Sequence, residues 1–276
     1  MKTQYVASND ALIPSLGFGT YGMNGPALSS IIPAALKAGF RHIDTAQIYG
    51  NEAYVGLGIA QSGIARSDVF ITTKVWAANA TSEAMERSVD ESLGKLRTDY
   101  VDLLLLHWPN SAIPLEEQIG ALNDIVRAGK ARHIGVSNYN RALLASAVAL
   151  SETPLVTNQF EYHPYLEQGK LVTATRRAGL SVTAYCAMAV GRVFDDPKLK
   201  EIAARNRRSV SQVVLRWLIQ QEDTIALSRT SNPDRLAEIA GIHDFELSAQ
   251  DMSDIFALAR PGSRIVDPRG LAPAWD

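Results

Sequence analysis

The stretch Gly39-Phe-Arg-His-Ile-Asp-Thr-Ala-Gln-Ile-Tyr-Gly-Asn-Glu52 is a short apolar run that passes into polar residues just before a helix starts. An acid, Asp44, and a phenol, Tyr49, lie in this passage. A strand that leads through a polar loop into a helix is the repeating unit of α/β proteins. The stretch therefore predicts an α/β fold with functional side chains where the strand ends.

The same arrangement recurs along the whole chain, because short β-rich runs alternate with longer amphipathic segments such as Ser82–Leu96. We count eight such runs: Leu16–Thr20, Arg41–Asp44, Val69–Thr73, Val101–Leu106, Ala131–Val136, Leu155–Asn158, Ser181–Tyr185 and Thr224–Ser228. Eight strands with intervening helices in roughly 250 residues are typical of a closed (β/α)₈ TIM barrel. We expect residues 1–276 to form one barrel domain.

Two features at the N-terminus complete the fold prediction. Tyr5-Val6 and Leu12-Ile13 flank the turn residues Ser8-Asn9-Asp10, which indicates a β-hairpin that closes the bottom of the barrel. The motif Gly17-Phe-Gly-Thr-Tyr-Gly22 matches a dinucleotide-binding fingerprint with Asp44 downstream, as in a doubly wound fold. We favour the barrel over that alternative, because Met23-Asn-Gly-Pro26 should keep the chain in a loop where a helix is required and because a barrel uses all the other strand signals.

Polar residues follow or end all eight runs. In a (β/α)₈ barrel the carboxyl ends of the strands surround one mouth, where the active site lies. The residues expected there are Thr20, Asp44, Lys74, His107, Ser137, Asn138, Gln159, Tyr185, Ser228 and Arg229.

Composition limits the classes of function. The chain has 276 residues, 46% hydrophobic and 20% charged, with a formal net charge of −2 and scattered Lys and Arg, so we expect no nucleic-acid partner. No apolar stretch approaches the ~20 residues of a membrane span and no signal peptide is evident, which predicts a cytoplasmic protein without a membrane partner. The single cysteine, Cys186, fits a reducing compartment. We expect a monomer.

Four residues at the mouth are chemically complementary. Lys74 could lower the pKa of the Tyr49 phenol, normally about 10, and Asp44 could balance the charge of Lys74. His107 could bind a substrate oxygen opposite Tyr49, so that the four groups hold a carbonyl and give its oxygen a proton.

Each of the four also has an ordinary structural explanation. Asp44 could cap a loop, Tyr49 could be a core residue, Lys74 could end a strand in solvent, and His107 could be a satisfied buried histidine. Their joint placement at matching strand ends favours a site over four coincidences. Histidines 42, 133, 163 and 243 lack such neighbours and show no metal-ligand spacing, so we expect no metal.

Five segments resemble signature blocks of the aldo-keto reductase superfamily. They are Gly39–Glu52, Ile71-Thr-Thr-Lys-Val-Trp76, Asp99-Tyr-Val-Asp-Leu-Leu-Leu-Leu-His-Trp-Pro109, Ile134-Gly-Val-Ser-Asn138 and Asn158-Gln-Phe-Glu-Tyr-His-Pro164. The chain is most similar to the short bacterial members, of the 2,5-diketo-gluconate reductase kind. The resemblance implies that Asp44, Tyr49, Lys74 and His107 form the catalytic tetrad, with Tyr49 as general acid.

The resemblance also implies a nicotinamide cofactor that lies extended across the mouth. Ser137, Asn138 and Gln159 match the residues that hold its carboxamide, and Tyr185 matches the aromatic residue that stacks under the ring. Cys186 and Met188 follow near the pyrophosphate, where Cys186 replaces a common serine. The remaining implied positions are Thr20 and Tyr21 beside the cofactor, Asp44 in contact with it, and Tyr21, Tyr49, Trp76, His107 and Trp108 along the substrate.

The segment from Leu227 to Glu238 resembles the family's adenosine 2′-phosphate site, which usually begins with proline, lysine and serine. Here Ser228, Arg229 and Thr230 stand in those places, and isoleucine at 239 replaces a common asparagine after Glu238. Arg229 and Arg235 beside a helix start near Asn232 offer cations and N–H groups to a phosphate, so we expect NADPH rather than NADH.

Two classes of function remain in view. The first is NADPH-dependent reduction of a small aldehyde, ketone or keto-sugar. The second is a non-catalytic or weakly catalytic NADP(H)-loaded regulatory subunit on the same barrel, since fold and cofactor do not establish an enzyme. Such subunits carry an added N-terminal segment, whereas this chain reaches its first barrel strand by Leu16.

Overall fold

A computed structural model of the protein describes residues 3–276. Its central feature is a closed barrel of eight parallel strands in the order β10-β3-β4-β5-β6-β7-β8-β9. The barrel strands are β3 (Leu16–Gly19), β4 (His42–Asp44), β5 (Phe70–Val75), β6 (Val101–Leu106), β7 (Ala131–Ser137), β8 (Leu155–Glu161), β9 (Ser181–Tyr185) and β10 (Thr224–Ser228). The predicted (β/α)₈ barrel is confirmed.

Helices cover the outside of the barrel. They are α1 (Gly25–Lys37), α2 (Glu52–Gln61), α3 (Ser82–Leu96), α4 (Leu115–Arg127), α5 (Arg141–Leu150), α6 (Gly169–Arg177), α7 (Pro197–Asn206), α8 (Val210–Ile219), α9 (Leu236–Ala240) and α10 (Ala249–Phe256). The α3 helix has the predicted bounds, and Met85, Val89 and Leu93 on its apolar face are buried. Within residues 3–276, no helix is both long enough and apolar enough to cross a bilayer.

The N-terminal hairpin closes the bottom of the barrel, as expected. Strands β1 (Tyr5–Ser8) and β2 (Ala11–Pro14) pair antiparallel. Ser8 Oγ donates to the carbonyl of Val156 at 2.6 Å, next to the start of β8. Ala11 and Ile13 pack in one buried cluster with Leu103, Leu105, Val156 and Ile225 from the barrel strands. The floor of the barrel is therefore apolar and sealed.

Two local predictions were wrong. Helix α1 begins at Gly25, with Asn24 as its N-cap and Pro26 in its first turn, so the loop after β3 is only five residues long. Proline fits there because the first helical N–H groups need no partner within the helix. Strands β5 and β8 also extend past their predicted ends to Val75 and Glu161, because polar side chains that face the mouth do not interrupt backbone pairing.

Candidate active site

Three neighbouring strands and one turn bring the four predicted catalytic side chains together. Asp44 ends β4, Lys74 is the penultimate residue of β5, and His107 directly follows β6. Tyr49 ends a 3₁₀ turn, Gln47–Tyr49, that leads from β4 into α2. Because the strands are parallel and adjacent, their carboxyl ends meet at one edge of the barrel.

Lys74 is completely buried and is held by oxygens of the neighbouring strand. Its Nζ donates to Asp44 Oδ1 at 2.6 Å and to the carbonyl of Thr45 at 2.9 Å. The other carboxylate oxygen of Asp44 accepts from Gln159 Nε2 at 2.9 Å. Burial lowers the pKa of Lys74, and the charge and hydrogen bond of Asp44 oppose that shift. The ion pair is thus desolvated but supplied with hydrogen bonds.

Tyr49 lies close to Lys74 and His107. Its ring centroid is 5.2 Å from Lys74 Nζ, 5.6 Å from the His107 ring and 5.1 Å from the Tyr21 ring. Burial raises the pKa of Tyr49 well above its ordinary value, with further contributions from Asp44 and Tyr21. Burial, Asp44 and Tyr21 all raise this pKa, so the lowering expected from Lys74 does not prevail in the present arrangement.

His107 is buried at the wall of the mouth. Its Nδ1 has no hydrogen-bond partner within residues 3–276. Burial lowers the pKa of His107 well below its ordinary value, and the Lys74 charge adds to this effect. The imidazole is therefore neutral at neutral pH, and one ring nitrogen carries a proton that can be donated.

The three residues expected at a carboxamide and the tyrosine expected under the nicotinamide ring form one hydrogen-bonded group beside the tetrad. Ser137 Oγ donates to the Gln159 carbonyl, and Asn138 Nδ2 donates to the carbonyl of His107 at 3.0 Å. Tyr185 donates its hydroxyl proton to Asn138 Oδ1 at 2.7 Å. Asn138 has a φ of 63°, a left-handed conformation that asparagine tolerates better than most residues.

This group fits an amide ligand. Gln159 uses one Nε2 hydrogen on Asp44, and its Oε1 accepts no hydrogen bond in the described part of the chain. One donor and one acceptor therefore remain on a buried side chain, which is the complement of a carboxamide. Tyr185 is only half-buried, so part of its ring is accessible for stacking.

The residues expected along the substrate differ in how far they are exposed at the mouth. Tyr21 is 70% exposed at the rim, and Trp76 meets His107 edge to face with centroids 5.6 Å apart. Thr20 is buried and donates its hydroxyl to the Asp44 carbonyl. Trp108 is only 5% exposed, so it belongs mainly to the wall behind the mouth.

The predicted phosphate segment lies after β10 on the other side of Tyr21. Arg229 is exposed and donates from Nη1 to the Tyr21 carbonyl at 2.8 Å, and Arg235 is also exposed. Asn232 caps a 3₁₀ turn, Pro233–Arg235, which continues into the five-residue α9. The expected helix start is present but short. Ser228 is buried, and Thr230 Oγ1 donates to the carbonyl of Asn232.

Three further predicted contacts lie away from the tetrad. Glu238 accepts hydrogen bonds from Ser209 and Ser211, so its carboxylate joins α9 to the start of α8. Cys186 and Met188 are half-buried in the loop after β9, and burial raises the pKa of the Cys186 thiol to about 11. That loop contains a left-handed valine at 190, a conformation that β-branched residues rarely adopt.

Sequence reasoning missed several polar residues around the site. Gln47 and Glu52 flank Tyr49 and bond to helix α3. Buried Glu161 accepts from His163 and from the backbone N–H groups of Ile265 and Val266, and so it holds the C-terminal segment on β8. The sequence signal for Glu161 is a charged residue at the end of a strand and inside one of the quoted signature blocks, Asn158–Pro164. In residues 3–276, no three His, Cys, Asp or Glu side chains come together to hold a metal ion.

Comparison with known proteins identifies the family. Residues 15–260 match the Aldo/keto reductase family. Methylglyoxal reductase DkgB of Salmonella typhimurium is 39% identical over 267 residues, covering 96% of this chain and 99% of that protein. Glyoxal reductase of Bacillus subtilis is 38% identical over 259 residues, covering 94% and 93%.

Solved structures show the same relationship. A proposed 2,5-diketo-D-gluconic acid reductase B is 56% identical and has a TM-score of 0.98, with coverage of 100% of this chain and 98% of that one. The family match begins at β3 and extends beyond α10, and it includes every barrel strand. The relatives cited carry the names of oxidoreductases, and the resemblance found in the sequence is confirmed: the chain belongs to the aldo/keto reductase family.

Proposed function

We propose that the protein is an NADPH-dependent carbonyl reductase that converts a small aldehyde, ketone or keto-sugar to an alcohol, with Tyr49 as the general acid. The observation that carries this proposal is the buried Lys74–Asp44 ion pair beside Tyr49 and a neutral His107. A phenol, an ammonium and an uncharged imidazole around one space can bind a carbonyl oxygen and protonate it.

The protonation states support these roles. The raised pKa of Tyr49 keeps the phenol protonated at neutral pH, so the proton is present before the substrate binds. Once Tyr49 has donated it, the phenolate lies near the buried Lys74 cation, whose charge stabilises it. Neutral His107 donates a hydrogen bond to the same carbonyl oxygen and orients it toward Tyr49.

A reduced nicotinamide, when bound, supplies the hydride that adds to the carbonyl carbon. We assign its carboxamide to Ser137, Asn138 and Gln159, since Gln159 has a free donor and acceptor there, and its ring to the face of Tyr185. The electron pair of the C=O π bond moves onto oxygen, which takes the Tyr49 proton, and solvent then restores the phenol.

We assign the 2′-phosphate of NADPH to Arg229 and Arg235. Both guanidinium groups are exposed on the segment after β10, and Arg229 lies against the rim of the mouth through its bond to Tyr21. Two cations that arrive from one loop suit a dianionic group better than a ribose hydroxyl. We further propose that residues 1–276 act as one monomeric domain.

The direct test is consumption of NADPH and of NADH by the purified protein with a panel of small aldehydes, ketones and keto-sugars. We expect turnover with NADPH and weaker turnover with NADH. Absence of turnover with every substrate, together with tight NADPH binding, would reject the enzyme and favour a regulatory subunit.

A further inference from the structure

A polar network connects the segment that carries Tyr49 to three other elements. Gln47, two residues before Tyr49, is at its centre. Gln47 Oε1 accepts from the backbone N–H of Trp76 at 2.9 Å and from Asn79 Nδ2 at 3.0 Å. Its Nε2 donates to Ser88 Oγ at 3.1 Å and to Ser92 Oγ at 3.4 Å, both on α3.

Glu52 extends the same network on the other side of Tyr49. This carboxylate is buried in the first turn of α2, three residues after Tyr49. Its Oε1 accepts from Thr73 Oγ1 at 2.6 Å, and its Oε2 accepts from Ser92 Oγ at 3.2 Å. Burial raises the pKa of Glu52, while the two hydroxyl bonds oppose that shift. Burial of a carboxyl group is costly unless it is hydrogen-bonded, and Thr73 and Ser92 provide those hydrogen bonds to Glu52.

Strand alternation gives this network its connection to Lys74. Successive side chains of a strand point to opposite faces, so Thr73 faces the helices while Lys74 faces the barrel interior. Thr73 meets Glu52 on the helix side, and Lys74 meets Asp44 on the barrel side. The Glu52 carboxylate therefore links the strand that positions Lys74 to the segment that positions Tyr49.

We propose that Gln47 and Glu52 are positioning residues that fix the Tyr49 phenol relative to Lys74 and His107. This inference rests on the proposed function, because it concerns the placement of the proposed general acid. Within residues 3–276, the hydrogen bonds of both side chains go to residues other than Tyr49, and each side chain acts through the segment that joins it to Tyr49. Small errors in such placement are costly, since a displacement of about 1 Å can slow a reaction about 100-fold.

The activity test compares Gln47→Met, Gln47→Glu and Glu52→Gln with the unaltered protein. Gln47→Met removes the four hydrogen bonds with little change in side-chain length, so we expect kcat to fall about 10- to 100-fold with little change in KM. Gln47→Glu keeps acceptors for Trp76 and Asn79, and Glu52→Gln keeps one acceptor oxygen, so both should retain more activity. The matched controls are Gln250→Met and Glu83→Gln, at exposed positions on α10 and α3.

A second measurement does not depend on turnover. With ¹³C-labelled tyrosine, the Tyr49 ring resonance can be identified by its loss in Tyr49→Phe. We expect it to shift in Gln47→Met and Glu52→Gln but not in the two controls. If kcat and the Tyr49 resonance of folded Gln47→Met and Glu52→Gln equal those of the controls, the inference is overturned while the proposed function stands. A protein without turnover whose Tyr49 resonance does shift would instead reject the function and retain the positioning role.

Discussion

The two sides of the barrel mouth are built differently. On the tetrad side, Lys74, Asp44 and Gln159 are buried and bonded to one another at 2.6 to 2.9 Å. On the phosphate side, Arg229 and Arg235 are exposed, and Arg229 makes one hydrogen bond to a backbone carbonyl. The groups assigned to chemistry are thus fixed before any ligand binds, whereas those assigned to cofactor choice are free to adjust. Substitutions that change the reaction would therefore have to replace the hydrogen-bonded group of Lys74, Asp44 and Gln159. Substitutions that change the preferred cofactor would only have to replace exposed side chains.

The largest effect is expected from the proton donor itself. Tyr49→Phe removes one hydroxyl and keeps the ring that packs against His107 and Tyr21. We expect kcat to fall about 10²- to 10⁴-fold, the range for loss of a general acid, with little change in the NADPH dissociation constant. Steady-state kinetics and fluorescence titration measure the two quantities. Normal turnover by Tyr49→Phe would refute the acid assignment.

The Lys74–Asp44 ion pair should dominate the stability of the tetrad side. Lys74→Met leaves the Asp44 carboxylate buried without its cation, which is expected to lower the free energy of unfolding by about 3–5 kcal/mol. Urea denaturation measures this, with the exposed Lys200→Met as the control. Equal free energies of unfolding for the two variants would show that Asp44 does not need the Lys74 cation for stability.

Acid should weaken the same side through His42, which lies on β4 two residues before Asp44. Burial lowers the pKa of His42 to about 4, whereas an unfolded histidine titrates near 6.5. The unfolded chain therefore binds a proton first, and the free energy of unfolding should fall between pH 6.5 and 4, by up to about 3 kcal/mol from this residue.

Urea denaturation at several pH values tests this sign. His42→Gln can keep the hydrogen bond to Thr72 but does not titrate, so its unfolding free energy should depend less on pH. His133→Gln is the control. An unchanged pH dependence in His42→Gln would mean that other groups, such as His107, account for the loss of stability in acid.

The smallest effect is expected on the phosphate side. Arg229→Ala combined with Arg235→Ala should raise the NADPH dissociation constant about tenfold, or about 1.4 kcal/mol, because exposed charges are screened by water and salt. Binding of NADH should barely change. Arg87→Ala combined with Arg177→Ala, at exposed helix positions, is the control for net charge. Equal losses for the two cofactors would remove the phosphate assignment.

The sequence predicted best the positions of those site residues that lie at the ends of barrel strands. Asp44, Lys74 and His107 each mark the end of an apolar run, so their convergence follows from barrel topology alone. Glu238 and Gln47 depend on contacts between helices distant in sequence, with Ser209 and Ser88 respectively, and no local pattern reports those contacts. The direction of the Tyr49 pKa shift could not be predicted either, because it depends on how much solvent the fold removes.

The barrel interior also limits how the protein could be redesigned. Its lower part is filled by apolar side chains such as Ile13, Leu105 and Ile225, and its upper part by Lys74 and Asp44. Replacing a buried ion pair with well-packed apolar residues of similar volume is often neutral or stabilising. A selection for heat resistance alone would therefore tend to extend the apolar filling upward and yield a sturdier, inert barrel. Any thermostability screen for this protein should keep turnover among its selection criteria.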